Sequence, residues 1–151
     1  MKHPKHYDTD ASTSKRMSKV KLKKGYAEAM LAKCLWHSGY RYRLNWKELP
    51  GSPDICILKY KIAIFVDGEF WHGKDWPNRK NKLKRNKEYW IEKIEENMCR
   101  DRRVDKNLVY LGWTPVHFWS KEVLHSPYEC VKSINELVWK NEIEDQVLEE
   151  D

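Results

Sequence analysis

The chain has 151 residues and a mass of 18.3 kDa, which suits one domain and is too short for two self-sufficient cores. Eight Trp, eight Tyr and 40% hydrophobic residues exclude a disordered chain, and no apolar run approaches the ~20 residues of a membrane-spanning helix. The net charge of +6 points to a polyanionic partner, and the charge is segregated along the chain.

Residues 1–13 lack apolar periodicity and are expected to be flexible. They also lack the apolar stretch of a secretory signal. Residues 1–24 carry eight Lys/Arg against two acids, and Ser14–Lys24 predicts a short helix with a thin apolar stripe at Met17 and Val20. A firmer helix is expected from Gly25, with Ala27, Leu31, Cys34 and Leu35 at helical spacing and Gly39 as its stop. Tyr40–Trp46 alternates aromatic and basic residues and predicts a strand with one wet face. Leu49–Pro53 is a turn cluster. Two apolar runs follow, Asp54–Leu58 and Ile62–Val66, and predict an antiparallel hairpin whose second strand is buried. Asp67–Asn86 predicts a long, polar, aromatic-dotted loop. A long helix over 87–111 has the stripe Trp90, Ile94, Asn97, Asp101, Val104 and Leu108. A strand over 113–119 and a closing helix over 127–141 complete the pattern. The last eleven residues hold six acids and no base. The organisation expected is a flexible stretch 1–13, one α/β domain with a mixed central sheet flanked by helices over 14–141, and an acidic tail over 142–151. The four cysteines are dispersed without a CxxC pair, so reduced thiols are expected and a structural zinc is not implied.

If the hairpin turns near Tyr60, Asp54 faces Val66 and Asp67 lies alongside, which brings two acids to one end of the sheet. A carboxylate at the mouth of an apolar hairpin is costly unless a cation neutralises it, and Mg²⁺ held by one or two carboxylates, main-chain oxygen and water would do so. The competing reading is turn chemistry, with Asp54 capping the turn after Pro53 and Asp67-Gly68 forming a plain turn. Asn97 and Asp101 interrupt the stripe of the long helix, and Glu28 lies on the stripe of the first. Together with the hairpin acids they suggest an acidic site assembled from three elements. Phe70 and Trp71 follow a glycine in a polar loop, beside Lys74, Arg79, Lys80, Lys82, Lys84 and Arg85. They are either core plugs or a base-stacking wedge on a basic rim. His72 is placed to act as a base for water beside a metal–carboxylate site.

On these residues the sequence resembles the very-short-patch-repair (Vsr-type) DNA mismatch endonucleases. The motifs that carry the resemblance are Ser14-Lys-Arg-Met17, Glu28, Leu49-Pro-Gly-Ser-Pro-Asp54, Ile64-Phe-Val-Asp-Gly-Glu-Phe-Trp-His72, Trp90–Ile94 with Asn97, Arg100-Asp-Arg-Arg103 and Leu111-Gly-Trp113. They run from about Ser14 to Leu124 in intact order. The resemblance implies a restriction-endonuclease-like fold of the PD-(D/E)xK type. It also implies nicking of one strand of duplex DNA, 5′ to the thymine of a T:G mismatch, with Mg²⁺ as cofactor. By carry-over Asp54 would bridge the metal ions and the Val66 carbonyl would be a main-chain ligand, while Asp67, an acid where the family's best-known member has His, would add a direct ligand. His72 would assist the attacking water, and Asp101 and Glu28 would hold metal-bound water or orient the histidine. Phe70, Trp71 and Trp90 would stack into the duplex. Ser14, Lys15, Arg16 and Met17 would cross the groove, and Asn97, Lys74 and Arg79 would complete the DNA-facing set. Family members act as monomers in the bacterial cytoplasm, near the nucleoid, alongside a cytosine-5 DNA methyltransferase and mismatch-repair proteins.

Two departures stand out. The structural zinc of the family's best-known member would fall on Glu69, Lys74, Trp76 and Lys121, a set unable to ligate it, so no zinc is expected and packing of Trp76 and Pro77 is expected to hold the loop. Asp67 stands where that member has His, and the lysine usual in restriction-type nucleases is Glu69 here. The alternatives are a restriction-type or structure-specific nuclease, or a catalytically silent DNA-binding module, on the same fold. A basic RNA-associated protein rests on charge alone.

Overall fold

The computed structural model describes residues 11–150, with side chains from Ser14 to Glu149; of the stretch 1–13 expected to be flexible, residues 1–10 lie outside the described residues, whereas 11–13 belong to the first helix. The elements are α1 (Ala11–His37), β1 (Arg43–Leu44), β2 (Ile55–Ile57), β3 (Ile62–Asp67), α2 (Trp76–Lys80), α3 (Lys87–Tyr110), β4 (Thr114–Trp119), α4 (Ser120–His125) and α5 (Pro127–Glu150). The four strands form one sheet in the order β1-β2-β3-β4. The first two pairings are antiparallel, and β3 pairs with β4 in parallel. Parallel neighbours need a long crossover, and the loop after β3, α2 and α3 supply it. The predicted mixed α/β architecture is therefore present.

Several boundaries differ from expectation. The two predicted N-terminal helices are one, because Met17, Val20, Lys24, Ala27, Leu31 and Leu35 form a single stripe at three- and four-residue steps. Gly25 sits inside that helix with open space around it. A helical glycine costs only about 1 kcal/mol relative to alanine, and the flanking stripe outweighs it. The strand over 40–46 shrinks to Arg43–Leu44 at the sheet edge, where both residues are exposed. Part of the predicted long loop coils into α2, and α4 follows β4 directly. The acidic segment after Asn141 is the continuation of α5 to Glu150 rather than a tail.

Alternation along β3 divides the molecule. Ile62, Ile64 and Val66 join Ala27, Leu31 and Leu35 of α1, Ile55 and Ile57 of β2, Phe118, Val123 of α4, and Val131, Ile134 and Val138 of α5 in one buried cluster. Phe65 and Asp67 point to the opposite face, toward α3. The turn before β2 also leans on α3. Gly51 has a positive φ of 75°, and a Cβ there would meet Val104 Cγ1 at 2.5 Å.

Candidate active site

The polar groups gather where β3 ends, and they come from both faces of the sheet. The β2–β3 ladder registers Ile55 with Ile64, so Val66 lies one hydrogen-bonding step past its last pair. Its N–H donates instead to Asp54 Oδ2 at 2.7 Å. The pairing sums run one lower than the sequence suggests, yet Asp54 and Val66 do meet. A strand residue directs its N–H and C=O to the same neighbour, so the Val66 carbonyl also faces the Asp54 side, beyond the end of β2. Asp54 Oδ1 lies 3.7 Å from Lys24 Nζ, and that ammonium is 3.2 Å from Glu28 Oε1, one helical turn on. Burial pushes the Asp54 carboxyl up to about 6, with Glu28 adding to the push, while Lys24 and the Val66 N–H oppose it. Lys24 is also raised. Burial alone would lower it, but the charges of Asp54 and Glu28 outweigh that.

On the α3 face the groups form a chain. Asp101 Oδ2 is 2.6 Å from His72 Nδ1, and His72 Nε2 is 3.8 Å from Asp67 Oδ1. Asp67 Oδ2 is 2.6 Å from His117 Nδ1, and His117 Nε2 is 2.7 Å from Asp105 Oδ1. The parallel register explains the second histidine. His117 stands opposite Phe65, whose ring stacks on it at 4.8 Å, and Asp67 is the next residue of β3 on that face. Burial would lower the His117 pKa, yet hydrogen bonds and charge from Asp67 and Asp105 raise it to about 9, so it is a cation at neutral pH. Asp67, expected to share the metal with Asp54, has its Oδ2 hydrogen-bonded to His117 and its Oδ1 3.8 Å from His72 Nε2.

The aromatic residues form a second cluster. Phe70, Trp71 and Trp90 contact one another edge to face, with centroids 5.2–5.5 Å apart, and Tyr89 adds to the group 5.0 Å from Trp90. The three rings are half-buried, so they are neither core plugs nor free side chains. Asn97, expected to face DNA, is buried, and its Nδ2 donates to the Trp71 carbonyl at 3.2 Å; it holds the loop. Gly73, with φ of 70°, lets the loop lie on α3, where a Cβ would meet Met98 Sδ at 2.4 Å. The loop's far end is tied by Trp76, buried as expected, whose indole donates to Glu95 at 3.2 Å. Pro77 is exposed and does not pack as expected. Nearer His72, Glu69 is buried and bonded to Ser120 and to the Lys121 N–H. Burial would raise the Glu69 carboxyl, but these donors hold it below the usual range.

Lys74 sits 5.8 Å from the Trp119 ring, and Arg79 is half-buried on α2. Ser14, Lys15 and Arg16 are exposed and Met17 half-buried on the first turns of α1. At 1.5 Å per residue they lie roughly 16–21 Å along the helix from Glu28, outside the acidic centre. The structure thus brings Glu28 to Asp54, and His72, Asp67 and Asp101 to one another. Lys24, Asp105 and His117 are additions that sequence reasoning missed. The Lys24–Glu28 spacing was a readable signal for the first, whereas His117 needed the strand register.

Among the described residues no three His, Cys, Asp or Glu side chains are arranged to hold a metal by themselves. A hard cation at Asp54 would draw on that carboxylate, main-chain oxygen and water, a donor set that suits Mg²⁺. No helix among the described residues is long and apolar enough to cross a membrane.

Comparison with known proteins gives a consistent result. The family model described as "DNA mismatch endonuclease Vsr" matches residues 6–78. The Type II nicking enzyme V.HpaIIP of Haemophilus parainfluenzae is 49% identical over 113 residues, covering 75% of this chain and 80% of the relative. The Type II nicking enzyme V.NmeDIP of Neisseria meningitidis serogroup C is 44% identical over 130 residues, covering 86% and 88%. DNA mismatch endonuclease Vsr of Escherichia coli K12 is 36% identical over 109 residues, covering 72% and 69%.

Proposed function

Because the chain belongs to the Vsr family of DNA mismatch endonucleases and is a DNA endonuclease, we propose that it nicks one strand of duplex DNA 5′ to the thymine of a T:G mismatch, with Mg²⁺ as cofactor. The observation that carries this reading is the hydrogen-bonded Asp101–His72 pair beside Asp67, at the end of the strand whose Val66 N–H grips Asp54. The restriction-endonuclease-like description of the fold belongs to the same reading.

Asp54 and the Val66 carbonyl would hold the cation, which would supply Lewis-acid polarisation of the scissile phosphate. Asp101 accepts from His72 Nδ1–H and so fixes the ring and its tautomer. That leaves Nε2 as the nitrogen that takes the proton of the attacking water. Asp67, held by His117, stabilises the imidazolium that results. Lys24 balances the charge of Asp54 and Glu28, and offers an ammonium to a phosphate oxygen. Phe70, Trp71 and Trp90 open the mismatched step, which costs less to unstack than a paired one. Ser14–Met17, Lys74 and Arg79 supply contacts to the phosphates, which fix the register on the duplex without reading sequence. The partners in this reading are a cytosine-5 methyltransferase, whose product deaminates to thymine, and the repair proteins that fill the nick.

Strand-resolved nicking of a T:G duplex and its matched counterpart, with and without Mg²⁺, tests the reading. One product, from the thymine strand of the mismatched duplex and only with metal, is expected. Equal cleavage of the matched duplex would reject the mismatch assignment, and cleavage in a chelator would reject the metal.

A further inference from the structure

Glu69 has no place in that mechanism, yet it is one of the buried polar or charged side chains, at 8% exposure. Its Oε2 accepts the Ser120 hydroxyl at 2.8 Å and its Oε1 accepts the Lys121 N–H at 2.7 Å. A carboxylate out of water is tolerated only when its lone pairs are met in this way. Both donors belong to α4, whose Val123 sits in the central core cluster. Glu69 also opens the turn that carries Phe70, Trp71 and His72. Its own carbonyl accepts the Lys74 N–H at 3.0 Å, and Gly68 accepts the His72 N–H at 3.1 Å. The carboxylate thus ties this turn to α4 across 51 residues of sequence.

We propose that Glu69 is a positioning residue of the nuclease, a clasp to α4 that fixes the turn bearing His72, at the place where the zinc of the family's best-known member would fall. The proposal rests on the assignment of His72 made above. The residues at those positions do not suit zinc. Both Glu69 oxygens are engaged, Lys74 and Lys121 are cations, and the Trp76 indole is buried against Glu95. A hydrogen-bonded carboxylate holds the loop without a metal.

The test uses the full chain and three readouts: exchange of the Lys121 amide, kcat and DNA affinity on a T:G duplex with Mg²⁺, and zinc content. Glu69→Ala should speed Lys121 exchange by about tenfold. It should lower kcat by about a hundredfold while DNA affinity stays nearly constant, because the loss is of alignment rather than binding. Glu69→Gln should restore both, since its amide oxygen can accept from Lys121 and its NH₂ can donate to Ser120. Ser120→Ala removes one bond only and serves if Glu69→Ala does not fold; it should shift both readouts in the same direction by less. Unchanged Lys121 exchange, unchanged kcat in a loosened variant, failure of Glu69→Gln to rescue, or one zinc per purified chain would each overturn the proposal. If His72→Ala nicks at the wild-type rate, the role assigned to His72 fails instead, and Lys121 exchange still decides whether the clasp exists.

Discussion

The two faces of the sheet meet at the end of β3, and they bring different chemistry there. On the α1 face a half-buried acid, Asp54, with Glu28 nearby, is poorly matched. One oxygen has a short backbone bond and the other has an ammonium at 3.7 Å, beyond hydrogen-bond length. On the α3 face five groups, Asp101, His72, Asp67, His117 and Asp105, are linked by three contacts of 2.6–2.7 Å and one of 3.8 Å. In the proposed mechanism the Asp54 side is the one that would accept an outside cation, and it is left under-neutralised. A site that must hold an imidazole still is saturated with partners. Both are costs set against the apolar cluster on the α1 face, which stabilises the sheet whether or not the chemistry is intact.

The difference is broken most completely at Asp54. Asp54→Asn keeps an acceptor for the Val66 N–H and removes the charge, so the fold should survive. Nicking should fall by at least about a thousandfold, the scale for removing a charge that stabilises the transition state. Gel-shift affinity for the mismatched duplex should change little. Nicking by Asp54→Asn at more than a tenth of the wild-type rate would remove Asp54 from the metal site. His72→Ala comes next, with a loss of about 10²–10⁴-fold in kcat expected for a general base. Asp101→Asn should lose less, because it disturbs the ring's orientation without removing it. Equal losses in the two variants would show that the pair acts as one unit.

The contrast also explains what could be read in advance. Short apolar runs and helical stripes are local, so β2, β3, α3, α5 and the acids on them were legible, as was the meeting of Asp54 with Val66. Lys24 was placed on a basic helix of its own because Gly25 looked like a boundary, although the stripe runs straight through it. His117 lies 50 residues from Asp67, and only the β3–β4 register brings them together. Asp67 was placed beside Asp54 at the mouth of the hairpin; that its Oδ2 bonds His117 follows only from the tertiary register. Asn97 was read on the inward stripe of the long helix and in the DNA-facing set; its bond to the Trp71 carbonyl, which needs the path of the loop over α3, was not legible.

Trp71 sharpens the comparison from outside both halves. Its ring is half-buried against Phe70 and Trp90, and its carbonyl is held by Asn97. Trp71→Ala should leave the acidic groups in place and cost about 1–3 kcal/mol of stacking, mainly in the preference for mismatched over matched duplex. If discrimination in a competition assay is unchanged, the rings are packing rather than a wedge.

The smallest effect concerns pH, and the two faces should respond in opposite senses. Asp54 titrates near 6, so loading of the cation, and with it nicking, should fall as the pH drops through about 6. His117 has its pKa raised from 6.5 to about 9, so the folded state binds its proton more tightly than the unfolded chain does. That contribution to stability is fully present below 6.5 and is lost as the pH rises through about 9. Because His117 is partly exposed, solvent screening keeps the effect modest. Thermal midpoints should therefore decline between neutral pH and about pH 9 more steeply in the wild type than in His117→Gln, which can still donate to Asp67 but has no proton to lose. Parallel declines would mean that the Asp67–His117 bond does not carry the charge that its geometry requires, and that Asp67 is free to turn toward the cation.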